Sequence, residues 1–154
     1  MTLIELLVVI TLAGLLTGWG VSHWRHYQQA LQLEHTAQQL LAFLTRLQAD
    51  ANWRNRTALL GFKTGDPWCI GSGQTPVDCA ALGDDVFRPD YRDVQLAEFT
   101  QKDIGFYGLR NNAQAGHILL RNGAGSLRLV LSAKGRLRLC GQDVSLRGIA
   151  VCQP

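Results

Sequence analysis

Apolar residues crowd the first 24 positions of the chain and then settle into a helical rhythm. From Leu6 to Trp24 there is no formal charge, and only Thr11, Thr17, Ser22 and His23 are clearly polar. That run of about 19 residues matches the length needed to cross a bilayer core. From Trp24 onward, Trp24, Tyr27, Leu31, Ala37, Leu40, Leu41, Leu44, Leu47 and Ala51 follow the 3–4 step of one helix face, and no proline occurs before Pro67. The pattern predicts one helix over residues 2–53, roughly 80 Å long at 1.5 Å per residue. After Asn55 the apolar runs shorten and alternate, predicting strands over 57–63, 94–99, 104–109, 117–121, 127–131 and 136–140. Asn122-Gly123 and Lys134-Gly135 read as hairpin turns, because Asn and Gly accept positive φ cheaply. The predicted fold class is α+β: a long N-terminal helix packed on an antiparallel β domain. It divides into a transmembrane half and assembly segment (1–24), an amphipathic helix half (25–56) and a globular β domain (57–154).

One charge breaks the apolar run. Glu5 stands alone within it, and an ionised carboxylate in lipid is expensive unless partnered. The nearest cation in reach is a free α-amino group at Met1, in the same chain or a neighbour, and the positive end of the helix dipole favours the same charge. Glu5 and Met1 therefore form a polar assembly contact built into a membrane anchor. Gly14, Gly18 and Gly20 weaken helix propensity there, by roughly 1 kcal/mol each relative to Ala. Gly14 and Gly18 form either a close-packing face or a segment that melts when subunits assemble.

Downstream chemistry points to an exported domain. The four cysteines, Cys69, Cys79, Cys140 and Cys152, all follow the anchor, and an even count beyond an export segment implies disulfides. Three pairings can be drawn; Cys69–Cys79 and Cys140–Cys152 are favoured, since each closes a short turn-rich loop and stabilises by roughly 3 kcal/mol in the chain-entropy model. No Cys-x-x-Cys occurs, which argues against zinc, and no cofactor is called for. Net charge is +1 over residues 1–56, −4 over 57–103 and +6 over 104–154, for +3 in all. A basic surface of this kind suits phosphate. On a strand, Arg136 and Arg138 point the same way while Leu137 and Leu139 face the core, and Lys134 lies within reach of the same surface. The bland alternative is a solvated face, or arginines paired with acidic residues of 57–103 or of a neighbouring subunit.

The stretch Thr2-Leu3-Ile4-Glu5-Leu6-Leu7-Val8-Val9-Ile10 resembles the N-terminus of type IV pilins and type II secretion pseudopilins. That class is cut by prepilin peptidase and N-methylated at its first residue, usually Phe where Met1 stands here. Further segments carry the likeness along the chain: Asp50-Ala51-Asn52-Trp53-Arg54-Asn55-Arg56, Pro67-Trp68-Cys69, Phe106-Tyr107-Gly108-Leu109-Arg110-Asn111, Ala115-Gly116-His117-Ile118, and Ser132-Ala133-Lys134 through Cys140. In this order they resemble minor pilins of the GspH/FimT type. The resemblance implies a lollipop-shaped subunit, single-pass in the bacterial inner membrane, with a periplasmic domain. Its implied partners are prepilin peptidase and other minor and major pilins, with which it starts or caps a pilus near the tip. A secretion pseudopilin is the alternative within the class. Gly135-Arg136-Leu137-Arg138 is similar to the Gly-Arg-x-Arg motif of DNA-binding FimT-like pilins, which implies double-stranded DNA as a partner of Lys134, Arg136 and Arg138.

Catalytic readings are poor, and the chain does not read as an enzyme. His23 and His26 are one helical turn apart but lack neighbouring carboxylates or thiols. Ser72 between Gly71 and Gly73 lacks the strand–turn–helix setting of a nucleophile elbow. Asp84-Asp85 reads as an acidic loop. Trp19 and Trp24 suit a membrane boundary, and Trp53 and Trp68 read as interface anchors or core.

Overall fold

The computed structural model describes residues 2–73, 77–80, 83–101, 103–108, 112–142 and 146–153. Its first element, α1, is a single helix over Leu3–Arg54 that carries Gly14, Gly18 and Gly20 without a break. It is long and apolar enough to cross a membrane. The hydroxyls inside the apolar half satisfy themselves locally: Thr11 donates to the Leu7 carbonyl at 2.8 Å and Thr17 to that of Ala13 at 2.6 Å. The helix stops because Asn55 adopts the left-handed conformation (φ 51°, ψ 48°) and the Arg56 N–H reaches back to the Ala51 carbonyl at 3.0 Å. That is a Schellman-type ending, which Asn tolerates better than other side chains.

Among the described residues nine strands follow: β1 Thr57–Lys63, β2 Cys69–Ser72, β3 Val86–Phe87, β4 Gln95–Phe99, β5 Gly105–Tyr107, β6 Ala113–Gln114, β7 Gly116–Asn122, β8 Gly125–Leu131 and β9 Leu137–Gly141. They form two antiparallel sheets, ordered β3-β2-β1-β5-β6 and β4-β7-β8-β9. The architecture is the expected α+β arrangement. β1 matches its expected bounds, and the other anticipated strands appear with ends shifted by a residue or more. The expected strand over 104–109 is shorter, and residues 109–111 lie outside the described residues. Three strands escaped the pattern. β3 and β6 are two residues each, too short to show a period. β2 is buried on both faces from Cys69 to Gly71, so it has no alternation. Gly105 is required where β5 meets β1, since a Cβ there would lie 2.3 Å from the Ala58 carbonyl oxygen.

Only the outer half of α1 is covered. Residues 2–28 are exposed throughout, whereas Ala30, Leu33, Thr36, Ala37, Leu40, Phe43, Leu44, Leu47 and Ala51 are buried. The expected face is thus corrected at its start: Trp24 and Tyr27 remain exposed, because the sheet first meets the helix at Gln29, where Asn122 Nδ2 donates to the Gln29 carbonyl at 2.7 Å, and nearer the N-terminus Arg147 reaches over the edge of Tyr27. Ala30, Leu33 and Phe43 join the stripe in their place. Across from it sit Ile118, Leu120, Leu127, Leu129 and Leu131 of β7 and β8, with Leu60, Ile70 and Phe106 from the other sheet. Trp68 is core, 2% exposed, its Nε1 donating to the Val94 carbonyl at 2.8 Å, while Trp53 is 89% exposed.

Both favoured disulfides are present, Cys69–Cys79 and Cys140–Cys152. The second ties β9 to the C-terminal segment, whose Cys152 N–H also donates to the Gly141 carbonyl at 2.8 Å.

Burial predicts two classes of helix substitution. Leu40→Ala should lower domain stability by about 2–5 kcal/mol, the usual cost of a buried Leu truncation. Leu15→Ala, at a position 67% exposed, should leave it unchanged. Chemical denaturation of the full chain in detergent, followed through near-ultraviolet circular dichroism, checks both. Replacing Cys140 and Cys152 together by Ser should cost roughly 3 kcal/mol by the loop-closure model, read by the same denaturation.

Candidate functional site

Two regions carry unexplained charge, and they sit at different places along the helix. Glu5 lies in the first turn of α1, exposed among apolar neighbours. Its own backbone N–H donates to the Thr2 carbonyl at 3.1 Å, so the carboxylate stands at the positive end of the dipole. Met1, its expected countercharge, lies outside the described residues.

The second region is the flank formed by β9 and the turn before it. Ser132, Ala133, Lys134 and Gly135 make that turn, with the Gly135 N–H on the Ser132 carbonyl at 3.0 Å and Gly135 at φ +80°, which favours glycine. The turn is fastened to the helix by Gln48, whose Nε2 donates to the Gly135 carbonyl at 2.6 Å. Lys134, Arg136 and Arg138 are exposed, and Leu137 and Leu139 are half-buried against the core, as alternation requires. Arg136 itself precedes β9, held by its N–H on Ser132 Oγ at 3.0 Å. Among the described residues, none of these three cations has a carboxylate partner.

Strand register adds two arginines. Directly paired residues share a face, and Leu127, Leu129 and Leu131 of β8 face the core. Arg138 opposes Val130, Arg128 opposes Leu119 and Cys140, and Arg121 opposes Ser126, so all three arginines lie on the outer face of the sheet. Each is displaced two residues from the next, a diagonal of roughly 7–8 Å per step. Arg121 Nε donates to Ser126 Oγ at 3.1 Å, and Arg128 Nε is buried with no hydrogen-bond partner among the described residues. The face's carboxylate at the β4 edge, Glu98, is engaged by His117 Nε2 at 3.2 Å. The alternation of leucines at 127, 129 and 131 is the signal that sets Arg128 on the opposite face; only the pairing aligned it with Arg121 and Arg138.

At the other end of β9, Arg147 (φ +48°) pairs through Nε with Glu34 and lies over the Tyr27 ring, 5.2 Å from its centroid. Contact with Tyr27 and then Glu34 raises its pKa above the ordinary guanidinium value, so it stays cationic.

The opposite flank of the helix mixes both signs, with Arg46 and Arg88 beside Asp84 and Asp90, and His35 Nε2 lying 3.9 Å from Asp90 Oδ2. Arg46 Nη2 donates to the Asp84 carbonyl at 2.6 Å and Gln39 Nε2 to Asp90 Oδ2 at 3.0 Å. These contacts frame an open groove over Phe43 and Phe87, also lined by Arg88. The Asp84 and Asp85 side chains are exposed and have no ion-pair partner among the described residues.

The other residues singled out in the sequence do not converge. His23 and His26 lie exposed on the uncovered helix, and Ser72 ends β2 with its N–H on the Asp85 carbonyl at 2.9 Å. Among the described residues no group of three His, Cys, Asp or Glu side chains is placed to hold a metal.

A long apolar N-terminal helix packed on a disulfide-linked antiparallel β domain is an arrangement consistent with a pilin-like fold. Comparison with known proteins finds no matching family model, curated protein or solved structure.

Arg147→Ala should release the C-terminal loop from the helix without unfolding the sheets. Hydrogen exchange of the full chain should then speed up over residues 146–153 and stay unchanged in β7 and β8.

Proposed function

We propose that the chain is a minor pilin of a type IV pilus that starts or caps assembly together with other minor and major pilins. On this reading it is a prepilin peptidase substrate, held by α1 in the bacterial inner membrane with its domain in the periplasm, and sits at or near the pilus tip once assembled. Its ordered segments are similar to those of the minor pilin called prepilin peptidase-dependent protein A. The observation that carries the reading is Glu5: an exposed carboxylate on a helix that the domain leaves uncovered over residues 2–28. Such a charge is useful only if another molecule supplies its partner when the apolar helices come together.

Glu5→Ala should therefore leave a folded, membrane-inserted protein that no longer supports filament formation. A strain whose sole copy carries Glu5→Ala is scored for surface filaments and for disulfide-intact protein in the membrane fraction. Normal piliation would refute the role.

The exposed Lys134, Arg136 and Arg138, without a carboxylate partner among the described residues, favour a second reading, that the chain also takes up DNA. The expected behaviour is weak binding of double-stranded DNA without sequence preference, with Kd on the order of 10⁻⁴ to 10⁻⁶ M at physiological salt. Replacing Arg136 and Arg138 by Gln should weaken it and make the salt dependence shallower, by about one unit for each phosphate that is no longer engaged. Titration of the detergent-solubilised full chain with labelled duplex measures both effects.

A further inference from the structure

The outer edge of β9 is unpaired over its first half, and the hydrogen bonds of the sheet show where. The Ser132 N–H donates to the Arg136 carbonyl at 2.9 Å and the Gln142 N–H to that of Ser126 at 3.0 Å. Bonded and non-bonded pairs alternate along an antiparallel ladder. In the β8–β9 register this makes Arg138 and Cys140 the residues that bond β8, and turns the N–H and C=O of Leu137, Leu139 and Gly141 to the other edge. Gly141 agrees: its N–H donates to the Ala150 carbonyl and its carbonyl accepts from the Cys152 N–H, both at 2.8 Å. The C-terminal segment pairs in parallel at that point, so toward Cys152 it runs away from Leu139. Among the described residues nothing takes up the outward N–H and C=O of Leu137 and Leu139.

The open edge borders a slot beside the helix. Gln48 closes one end through the Gly135 carbonyl, and Glu34 closes the other through Arg147. These two helix positions stand about 21 Å apart along the axis. Leu41 lies midway, two helical turns from each, and a step of that size drifts only about 20° around the helix, so all three share one row. Leu41, Leu137 and Leu139 are half-buried, whereas Leu127, Leu129 and Leu131 of β8 are buried. Apolar surface is thus left over on the inner, helix-facing side of the edge. On the outer side stand Arg136 and Arg138, exposed and with no carboxylate partner among the described residues.

We infer that this edge receives a short extended segment of another protein as an added strand, its apolar side chains toward Leu41 and its carboxylates beside Arg136 and Arg138. Strand addition draws affinity from main-chain hydrogen bonds and choice from alternate side chains, and the edge offers both. Leu137 and Leu139 each present a free N–H and C=O, the half-buried leucines give the inner side chains a floor, and the arginines flank the outer ones. Charge decides what enters, because opposite charges across neighbouring strands stabilise the pair and like charges destabilise it. A basic segment is repelled. So is β9 of a second copy, which would bring its own Arg136 and Arg138 alongside, and charged residues on an open edge guard against such self-pairing. The occupant is therefore an acid-bearing strand from a different chain. The inference stands apart from the assembly reading, since it needs neither Glu5 nor a membrane.

Short capped peptides test it on the full chain in detergent, with amide hydrogen exchange read residue by residue. One peptide alternates Val with Glu, a second alternates Val with Lys, and a third is the Val–Glu peptide with its backbone amides N-methylated. The Val–Glu peptide should slow exchange at Leu137 and Leu139 several-fold and leave Arg138 and Cys140, already bonded to β8, unchanged. The Val–Lys peptide should bind several-fold more weakly, and the N-methylated one should not bind. Arg136→Glu together with Arg138→Glu should reverse the preference, from the Glu peptide to the Lys peptide. Altered exchange in β7 and β8 identifies a misfolded variant, and the N-methylated peptide on the native chain then still decides. No binding of the Val–Glu peptide at millimolar concentration, equal binding of its N-methylated form, or protection only at other amides would overturn the inference. So would slowing at Leu137 and Leu139 that rises with the concentration of the chain alone, which would give the edge to a second copy.

Discussion

The structure depends on the burial of one helix stripe, from Ala30 to Ala51, against the inner faces of two sheets. Neither partner is self-sufficient. The β4-β7-β8-β9 sheet presents leucines and an isoleucine on one face and needs a cover, and most helical stability in water comes from packing of an apolar face. Leu33, Leu40 and Leu44 are fully buried beneath that cover. Once they are seated, the helix acts as a ruler. Gln29, Glu34, Gln39, Arg46 and Gln48 each fasten a different loop to a defined height along it.

Packing on the domain and a surface apolar enough to cross a membrane fall to separate halves of the same element. The residues that hold the domain together begin at Ala30, and residues 2–28 are exposed. The threonine hydroxyls of that half are satisfied by carbonyls one turn back, which leaves its surface apolar apart from the glutamate near its start and the few polar residues near its end. A substitution there changes what the helix can meet without touching the core. The proposed assembly role rests on this division, since Glu5 lies on the half of the helix that takes no part in the core.

Charge shows the same economy of position. Acidic residues concentrate in 57–103 and basic ones in 104–154, yet a segregated sequence need not give a sided molecule. Here the segment from Asp84 to Asp90 packs against one side of the helix, beside Arg46 and Arg88, while β9 and its turn pack against the other. Glu98 on the basic face is hydrogen-bonded to His117, and Asp93 is drawn toward Asn122 of the β7–β8 turn, 3.4 Å away. The exposed Asp84 and Asp85 and the exposed Arg136 and Arg138 are left facing outward on different flanks.

The helix, the disulfide partners and most strands were legible in the sequence because each is governed by local rules: a 3.6 period, a short loop between cysteines, alternation bounded by turn residues. The exposed glutamate in its apolar setting was legible for the same reason. β2 was not, because a strand buried on both faces has no alternation, and β3 and β6 were too short to carry a period. Where the helix ceases to be covered, at Gln29 rather than Trp24, depended on how far the β7–β8 turn reaches along it. The alignment of Arg121, Arg128 and Arg138 likewise depended on strand register. Side-chain periodicity is a property of one segment and is written in that segment's residues. Which segments lie side by side, and at what offset, is settled only when distant parts of the chain share one core.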